Sequence, residues 1–278
     1  MQKLAVKEQI VKTVVKSGNG GAVWVPKNWL GQEVVVILPD KPKLNVKEKI
    51  IHLLEPFLKD AIAVFLYGSY ARKEETKESD VDVMVITKDR NKKINIKEQN
   101  LEITTFDLES LKIAIQKYPV LYYQMIQEAE PLINSKILEE LKNIKIDHGN
   151  FKRYIQETRE HTKSNKELLE LDRLDGEYVK SYSAIYSIIL RLRGLFIIRC
   201  ILIHQNFSNN LFEKWIINKG VSNKEFEEVY KAYRAIRDNK IIKNIQIKIY
   251  VAEKLLNILT NELNSLELKV YGKQKKEA

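Results

Sequence analysis

The stretch Phe65-Leu66-Tyr67-Gly68-Ser69-Tyr70-Ala71-Arg72, followed by Ser79-Asp80-Val81-Asp82-Val83, decides the reading of this chain. Ala61 to Tyr67 is a short, continuously apolar run, the pattern of a buried strand. It leads directly into Gly68-Ser69, where a glycine lets the backbone approach a ligand closely before a helix begins. The exposed amides and the Ser69 hydroxyl of such a turn suit phosphate oxygens. Asp80 and Asp82 are two apart in an alternating pattern with Val81 and Val83, so the spacing predicts a strand that points both carboxylates to one face. Two carboxylates beside a phosphate cradle suit Mg²⁺ ions that bridge phosphates. A lone Asp-x-Asp is usually a solvated strand edge and a lone Gly-Ser an ordinary turn. Their combination, in this order after a buried strand, points to a site.

Around this stretch, helical and strand patterns alternate. Val46, Ile50, Leu53, Leu54, Phe57 and Leu58 fall at helical spacing. Leu101 to Phe106 reads as a further strand, and Leu108 to Gln116 and Tyr122 to Ala129 as helices. Residues 43–146 are therefore expected to form an α/β domain. From Asp147 on no strand pattern stands out. Amphipathic stretches over Lys152–Leu171, Glu177–Ile203, Asn223–Arg237 and Ile247–Leu266 predict a bundle of about four or five helices over residues 147–278. The tail from Tyr271 to Ala278 is polar and expected to fray.

Residues 1–42 read as strands and turns. Val11, Val14 and Val15 lead into the turn-forming cluster Ser17-Gly18-Asn19-Gly20-Gly21. Ala22 to Val25 reads as a second strand ended by Pro26, Asn28 to Gly31 as one helical turn, and Val34 to Leu38 as a third strand. Pro39-Asp40-Lys41-Pro42-Lys43 marks a linker. About forty residues bury little core alone, so this piece is expected to dimerise or to lean on the rest.

Composition bounds the function. The chain has 278 residues, 44% hydrophobic and 30% charged, with 10 glycines and 6 prolines, which excludes a mainly disordered or collagen-like protein. Its single cysteine, Cys200, excludes an intramolecular disulfide framework or a multi-cysteine zinc site and suits a reducing compartment. With 47 Lys+Arg against 37 Asp+Glu, the net charge of +10 favours a polyanionic partner. Neither a signal peptide nor a membrane span is expected: the most apolar stretch, Ala184 to Ile203, is interrupted by Arg191, Arg193 and Arg199. The expected compartment is the cytoplasm.

At Gly68, Ser69, Asp80 and Asp82 the sequence resembles the DNA polymerase β-like nucleotidyltransferase superfamily, specifically its minimal nucleotidyltransferase branch. Tyr70-Ala71-Arg72 also matches that pattern, and Lys73 stands where the family commonly has glycine. The family carries a third carboxylate on a later strand, flanked by apolar residues. Leu101-Glu102-Ile103 fits, with Glu in place of the more common Asp, and Asp107 is the rival, its ordinary role being the N-cap of the helix from Leu108. The resemblance implies transfer of a nucleoside monophosphate from an NTP, expected to be ATP, with release of pyrophosphate. Asp80, Asp82 and Glu102 would hold Mg²⁺ and activate the acceptor, while Gly68, Ser69 and Arg72 would bind the nucleotide. The acceptor is left open between RNA, a protein side chain as in toxin–antitoxin pairs, and a small hydroxylated molecule.

Residues 14–31 resemble AbrB/MazE-like swapped-hairpin modules, closest to short transposon-associated archaeal versions, through Gly18-Asn19, Val25-Pro26 and Leu30-Gly31. The resemblance implies a homodimer that presents a basic face to DNA. Residues 1–42 hold six lysines (Lys3, Lys7, Lys12, Lys16, Lys27, Lys41) against Glu8, Glu33 and Asp40, a net +3 per chain. The helical part is similar in architecture to the helical domains of antibiotic-modifying nucleotidyltransferases and HEPN proteins. Arg199 and His204 stand at the Arg-x4-His spacing of HEPN ribonucleases, against an ordinary role as a helix-end pair. Tyr230, Tyr233, Arg234 and Arg237 suit RNA or nucleobase contact, or equally a packed amphipathic face. The fold class expected is α+β: a small β module, a nucleotidyltransferase α/β domain and a helical bundle. The rival function is a DNA-binding regulator or mobile-element accessory protein with an idle transferase domain.

Overall fold

The computed structural model describes residues 8, 10, 12–37, 45–76, 79–241 and 245–272. Over these the chain is a mixed α+β protein. It divides into two compact units, Met1–Lys43 and Leu44–Ala278. The expected linker Pro39–Lys43 and the tail beyond Gly272 lie outside the described residues.

In the first unit, β1 (Val15–Ser17) and β2 (Gly20–Ala22) form an antiparallel hairpin. Its two-residue turn is Gly18-Asn19, with Gly18 at φ +57, a conformation glycine adopts without strain. The second strand stops at Ala22 rather than reaching Val25, and Val34 to Ile37 form no strand, contrary to the expectation from their apolar patterning. The helical turn is present as a single 3₁₀ turn, Lys27–Trp29. None of residues 12–37 is buried, and Trp24 and Ile37 are 75% and 78% exposed. A strand needs a partner strand and an apolar face to cover, and within one chain these residues have neither.

The second unit opens with α1 (Val46–Leu54), started by an Asn45–Glu48 capping box and closed where Pro56 tightens the chain into a 3₁₀ turn. The sheet order is β5-β4-β3-β6, with β3 (Ala61–Tyr67), β4 (Val81–Thr87), β5 (Leu101–Asp107) and β6 (Glu130–Ile133). β3 is antiparallel to both β4 and β6, and β4 is parallel to β5. Both faces of the central strands are covered. Phe65, Met84 and Ile86 pack beneath α3 (Leu108–Lys117), α4 (Pro119–Glu128) and α5 (Ser135–Lys142), while Val64, Leu66, Val83 and Val85 pack against Ile50 and Leu54 of α1. Each such fully buried side chain contributes roughly 1.5–3 kcal/mol.

The remaining helices are α6 (Lys152–Leu174), α7 (Tyr182–Leu202), α8 (Asn209–Ile217), α9 (Asn223–Arg237) and α10 (Ile249–Gly272). α7 is the apolar centre: Ile185, Ile188, Leu192 and Leu195 are buried among the other helices. Val120 and Tyr123 of α4 pack against this core, which joins the helices to the sheet layer. α10 continues past the expected end at Leu266.

Candidate active site

The sheet register sets the site. Tyr67, the last residue of β3, pairs with Asp82, and Asp82 pairs with Glu102 on β5. One row across three strands therefore ends in a phenol and two carboxylates. Asp80 lies one residue before β4 rather than on it, and is exposed. The alternation of Val81, Val83 and Val85 starts the ladder at Val81, so the expectation of both acids on the strand holds only for Asp82. Tyr67 Oη shares a hydrogen bond of 3.2 Å with Thr104 Oγ1, and burial pushes its phenol up to about 12.

Gly68 follows with φ +75, and a Cβ there would sit 2.0 Å from Asp82 Oδ2. Only glycine allows this backbone conformation and this closeness to the carboxylate together. Ser69 is the second residue of the short α2 (Gly68–Ala71), half-buried, and its hydroxyl has no protein partner among the described residues. Lys73 adopts φ +57, the left-handed region that glycine enters without strain.

The three candidate acids are unpaired. Among the described residues no hydrogen-bond donor or cation engages the side chains of Asp80, Asp82 or Glu102. Burial raises the Asp82 carboxyl to about 6, helped by the charges of Glu102, Asp80 and Glu128 and opposed by Arg72. Asp107 is engaged: its carboxylate accepts the Ser110 amide at 3.0 Å as the N-cap of α3, which gives the rival third acid its ordinary role.

Glu128 was not legible in the sequence. From the C-terminus of α4 its Oε1 accepts the Gly68 amide at 3.0 Å and its Oε2 accepts Arg72 Nη1 at 2.7 Å. The side chains are 7% and 17% exposed, so this is a buried ion pair. Burial raises the Glu128 carboxyl, while the Arg72 charge and the Gly68 amide oppose that rise. The Gly68 amide and the Arg72 guanidinium are thus held by protein carboxylates, whereas among the described residues the Ser69 hydroxyl has no partner. One signal was available: an acid in the last turn of a helix opposes the helix dipole, and its presence there calls for a nearby cation.

The other singled-out residues lie elsewhere. Arg199 is exposed in the last turn of α7, and His204 follows it at φ +54, also exposed; both stand at the helix end. Cys200 is buried, its thiol pushed up to about 11 by burial, and Trp215 belongs to the core. Tyr233 is buried and Tyr230 half-buried, stacked on each other with ring centroids 5.5 Å apart, so they form a packed face. Arg191 lies over the Tyr154 ring, whereas Arg193 donates to Asn209 and Tyr230.

Residues 48–138 match the family model described as Polymerase beta, Nucleotidyltransferase. This segment is similar to nucleotidyltransferase domains. The match supports nucleotidyltransferase activity, and it contains all of the row just described together with Gly68, Ser69, Arg72 and Glu128. Several solved structures resemble the chain, three of them as follows. A nucleotidyltransferase-like protein from Exiguobacterium sibiricum is 11% identical, covering 82% of this chain and 80% of that one at a TM-score of 0.42. Spectinomycin adenyltransferase from Enterococcus faecialis, with ATP and spectinomycin, is 15% identical over 78% of this chain and 97% of that one, also at 0.42. A toxin–antitoxin structure with AMP-PNP is 18% identical over 35% of this chain and 81% of that one, at 0.25. No curated protein matches the sequence. No helix of the described residues is long and apolar enough to cross a membrane.

A divalent cation fits these residues. Among the described residues no three His, Cys, Asp or Glu side chains converge to hold an ion unaided. Mg²⁺ characteristically takes one or two carboxylates and fills its shell with phosphate oxygens and water. Asp80 and Asp82 offer that set, in a cluster of unpaired negative charge that a cation relieves.

Proposed function

We propose that the chain transfers a nucleoside monophosphate from an NTP, with ATP as the expected donor, to an acceptor hydroxyl and releases pyrophosphate. The observation that carries this reading is the row of unpaired acids Asp82 and Glu102 beside the Gly68–Ser69 turn, inside the nucleotidyltransferase domain. Asp80 and Asp82 would hold Mg²⁺, which when bound neutralises triphosphate charge and steadies an in-line displacement. The Ser69 hydroxyl donates to a phosphate oxygen. Glu102, exposed at the mouth of the row, accepts the acceptor's proton as the new O–P bond forms at the α-phosphate. The α–β bridging oxygen leaves with its electron pair on pyrophosphate. We place RNA first among the acceptors on the +10 net charge, ahead of a toxin–antitoxin partner protein or a small molecule.

The domain limits of this reading are 1–42, 43–146 and 147–278, and its location is the cytoplasm. For residues 1–42 we propose an AbrB/MazE-like module that pairs with a second copy and binds DNA. Val14, Trp24, Val25, Leu30 and Val34 to Ile37 are all exposed in one chain, an apolar surface that a second hairpin would cover. Sedimentation of the full chain is expected to show a dimer, and a monomer at tens of micromolar would remove this part.

The transfer itself is tested with α-³²P-labelled NTPs, Mg²⁺, small RNA and protein extract, comparing wild type with Asp80→Ala/Asp82→Ala. Label on a macromolecule, or pyrophosphate release, with wild type alone supports the reading. Equal signal from the double variant would contradict the assignment of the acids.

A further inference from the structure

The nucleotide loop is tied to the helical part of the unit by a continuous chain of polar contacts. The Glu74 amide donates to the Ser69 carbonyl at 2.9 Å, which closes the loop after α2. The Glu74 carboxylate then faces two ways. It accepts Arg72 Nε at 2.9 Å, and it accepts the Asn209 backbone amide at 3.1 Å and Asn209 Nδ2 at 2.8 Å. Asn209 is the first residue of α8, so a carboxylate from the sheet layer meets the N-terminus of a helix 135 residues away in sequence.

Asn209 is itself fixed from behind. Its Oδ1 accepts Arg193 Nη1 at 2.8 Å and Tyr230 Oη at 3.2 Å, and Arg193 Nη1 also reaches Tyr230 Oη at 2.8 Å. The two guanidiniums are held against one ring: Arg193 lies 5.0 Å and Arg72 6.0 Å from the centroid of buried Phe207. With Oδ1 taken by two donors and Nδ2 by Glu74, the amide has one orientation that satisfies every partner.

We propose that Glu74 and Asn209 are positioning residues for nucleotide binding, and that through them the helical part sets the Gly68–Ser69 loop. Neither carries a step of the transfer. Their joined contacts hold Arg72, which with Glu128 fixes the Gly68 amide and leaves the Ser69 hydroxyl free for phosphate. The inference rests on the transferase reading, since the loop is taken to hold the triphosphate.

Asn209→Asp tests it, because the shape is kept while the donor facing Glu74 becomes an acceptor. The expected result is a rise of about tenfold in the dissociation constant of the Mg²⁺ complex of a non-hydrolysable ATP, measured calorimetrically, and in KM for ATP, with kcat within about threefold. Adding Glu74→Gln to the same chain restores a donor opposite the new carboxylate, and the double variant is expected to bind at least three times more tightly than Asn209→Asp alone. Should Asn209→Asp fail to fold by circular dichroism, Tyr230→Phe removes one support of Asn209 and is expected to weaken binding by about threefold. Wild-type nucleotide binding in Asn209→Asp (or, where that variant does not fold, in Tyr230→Phe), or no recovery in the double variant, overturns the relay and leaves the transferase reading standing. Absence of nucleotide binding in the wild type removes both.

Discussion

Two groups of acids lie side by side in this protein and are treated in opposite ways. Glu128 and Glu74 each have every partner the fold can supply: an arginine, a glycine amide, a helix N-terminus. Asp80, Asp82 and Glu102, at the neighbouring strand ends, have none among the described residues. Chemically the two sets are alike, and the fold has an arginine within electrostatic reach of Asp82. The difference is that Arg72 is engaged by its two carboxylate partners, Glu74 and Glu128, and makes no ion pair with the row. On the proposed reading, the open cluster, in which Asp82 is half-buried and Asp80 and Glu102 are exposed, is kept for something the protein must bind. The paired acids hold the loop, and in the proposed function the unpaired acids receive the ligand.

The contrast has measurable consequences. The largest is expected on the open side: Asp82→Ala should lower the rate of nucleotidyl transfer by at least roughly a hundredfold, read as labelled product per unit time, while the protein stays folded. On the closed side the expected loss is of stability. Glu128→Ala leaves Arg72 buried without its main partner and should lower the unfolding free energy by about 3 kcal/mol in urea titrations. Equal stability losses from Asp82→Ala and Glu128→Ala would erase the distinction between the two groups.

A subtler effect runs the other way. With Asp82 raised to about 6 in the folded protein against an ordinary 3.8, the folded state holds a proton that the unfolded state has lost between those values, so stability falls as pH rises through that window. Asp82→Asn removes this term. In chelator the variant should melt at a higher temperature than wild type at pH 8, by the equivalent of about 1 kcal/mol after solvent screening, and the gap should close toward pH 4. Adding Mg²⁺ with nucleotide should stabilise wild type alone. The smallest effect is at Asp107, whose carboxylate caps α3: Asp107→Ala should lower stability by about 1 kcal/mol and leave kcat within twofold. A collapse of kcat in that variant would make Asp107, rather than Glu102, the third acid.

Much of this arrangement was legible from local pattern. The runs Ala61–Tyr67 and Val81–Thr87 are apolar because both faces are covered, and such strands announce themselves in sequence. The nearness of a Gly-Ser turn to paired acids was an expectation of the pattern, a glycine after a buried strand with acids twelve and fourteen residues on, and Gly68 does lie against Asp82. What stayed hidden depends on distant partners. β6 carries Pro131, which argues against a strand until it is seen at the sheet edge, where a missing amide is tolerated. α8 is short, and its start is fixed by Ser208 and by Glu74 rather than by its own periodicity. Glu128 and Glu74 read as surface acids until Arg72 and Asn209 are brought to them. In the N-terminal unit the error ran the other way: apolar residues at Val23 to Val25 and Val34 to Ile37 imitate strands, but one chain gives them nothing to pair with.

The central claim is that the unpaired acids are a Mg²⁺–nucleotide site, and calorimetric titration of a non-hydrolysable ATP into the full chain tests it most directly. Binding to wild type that requires Mg²⁺, disappears in chelator and is lost in Asp80→Ala/Asp82→Ala is the predicted result. Nucleotide binding that is the same with and without Mg²⁺, and the same in the double variant, would contradict it.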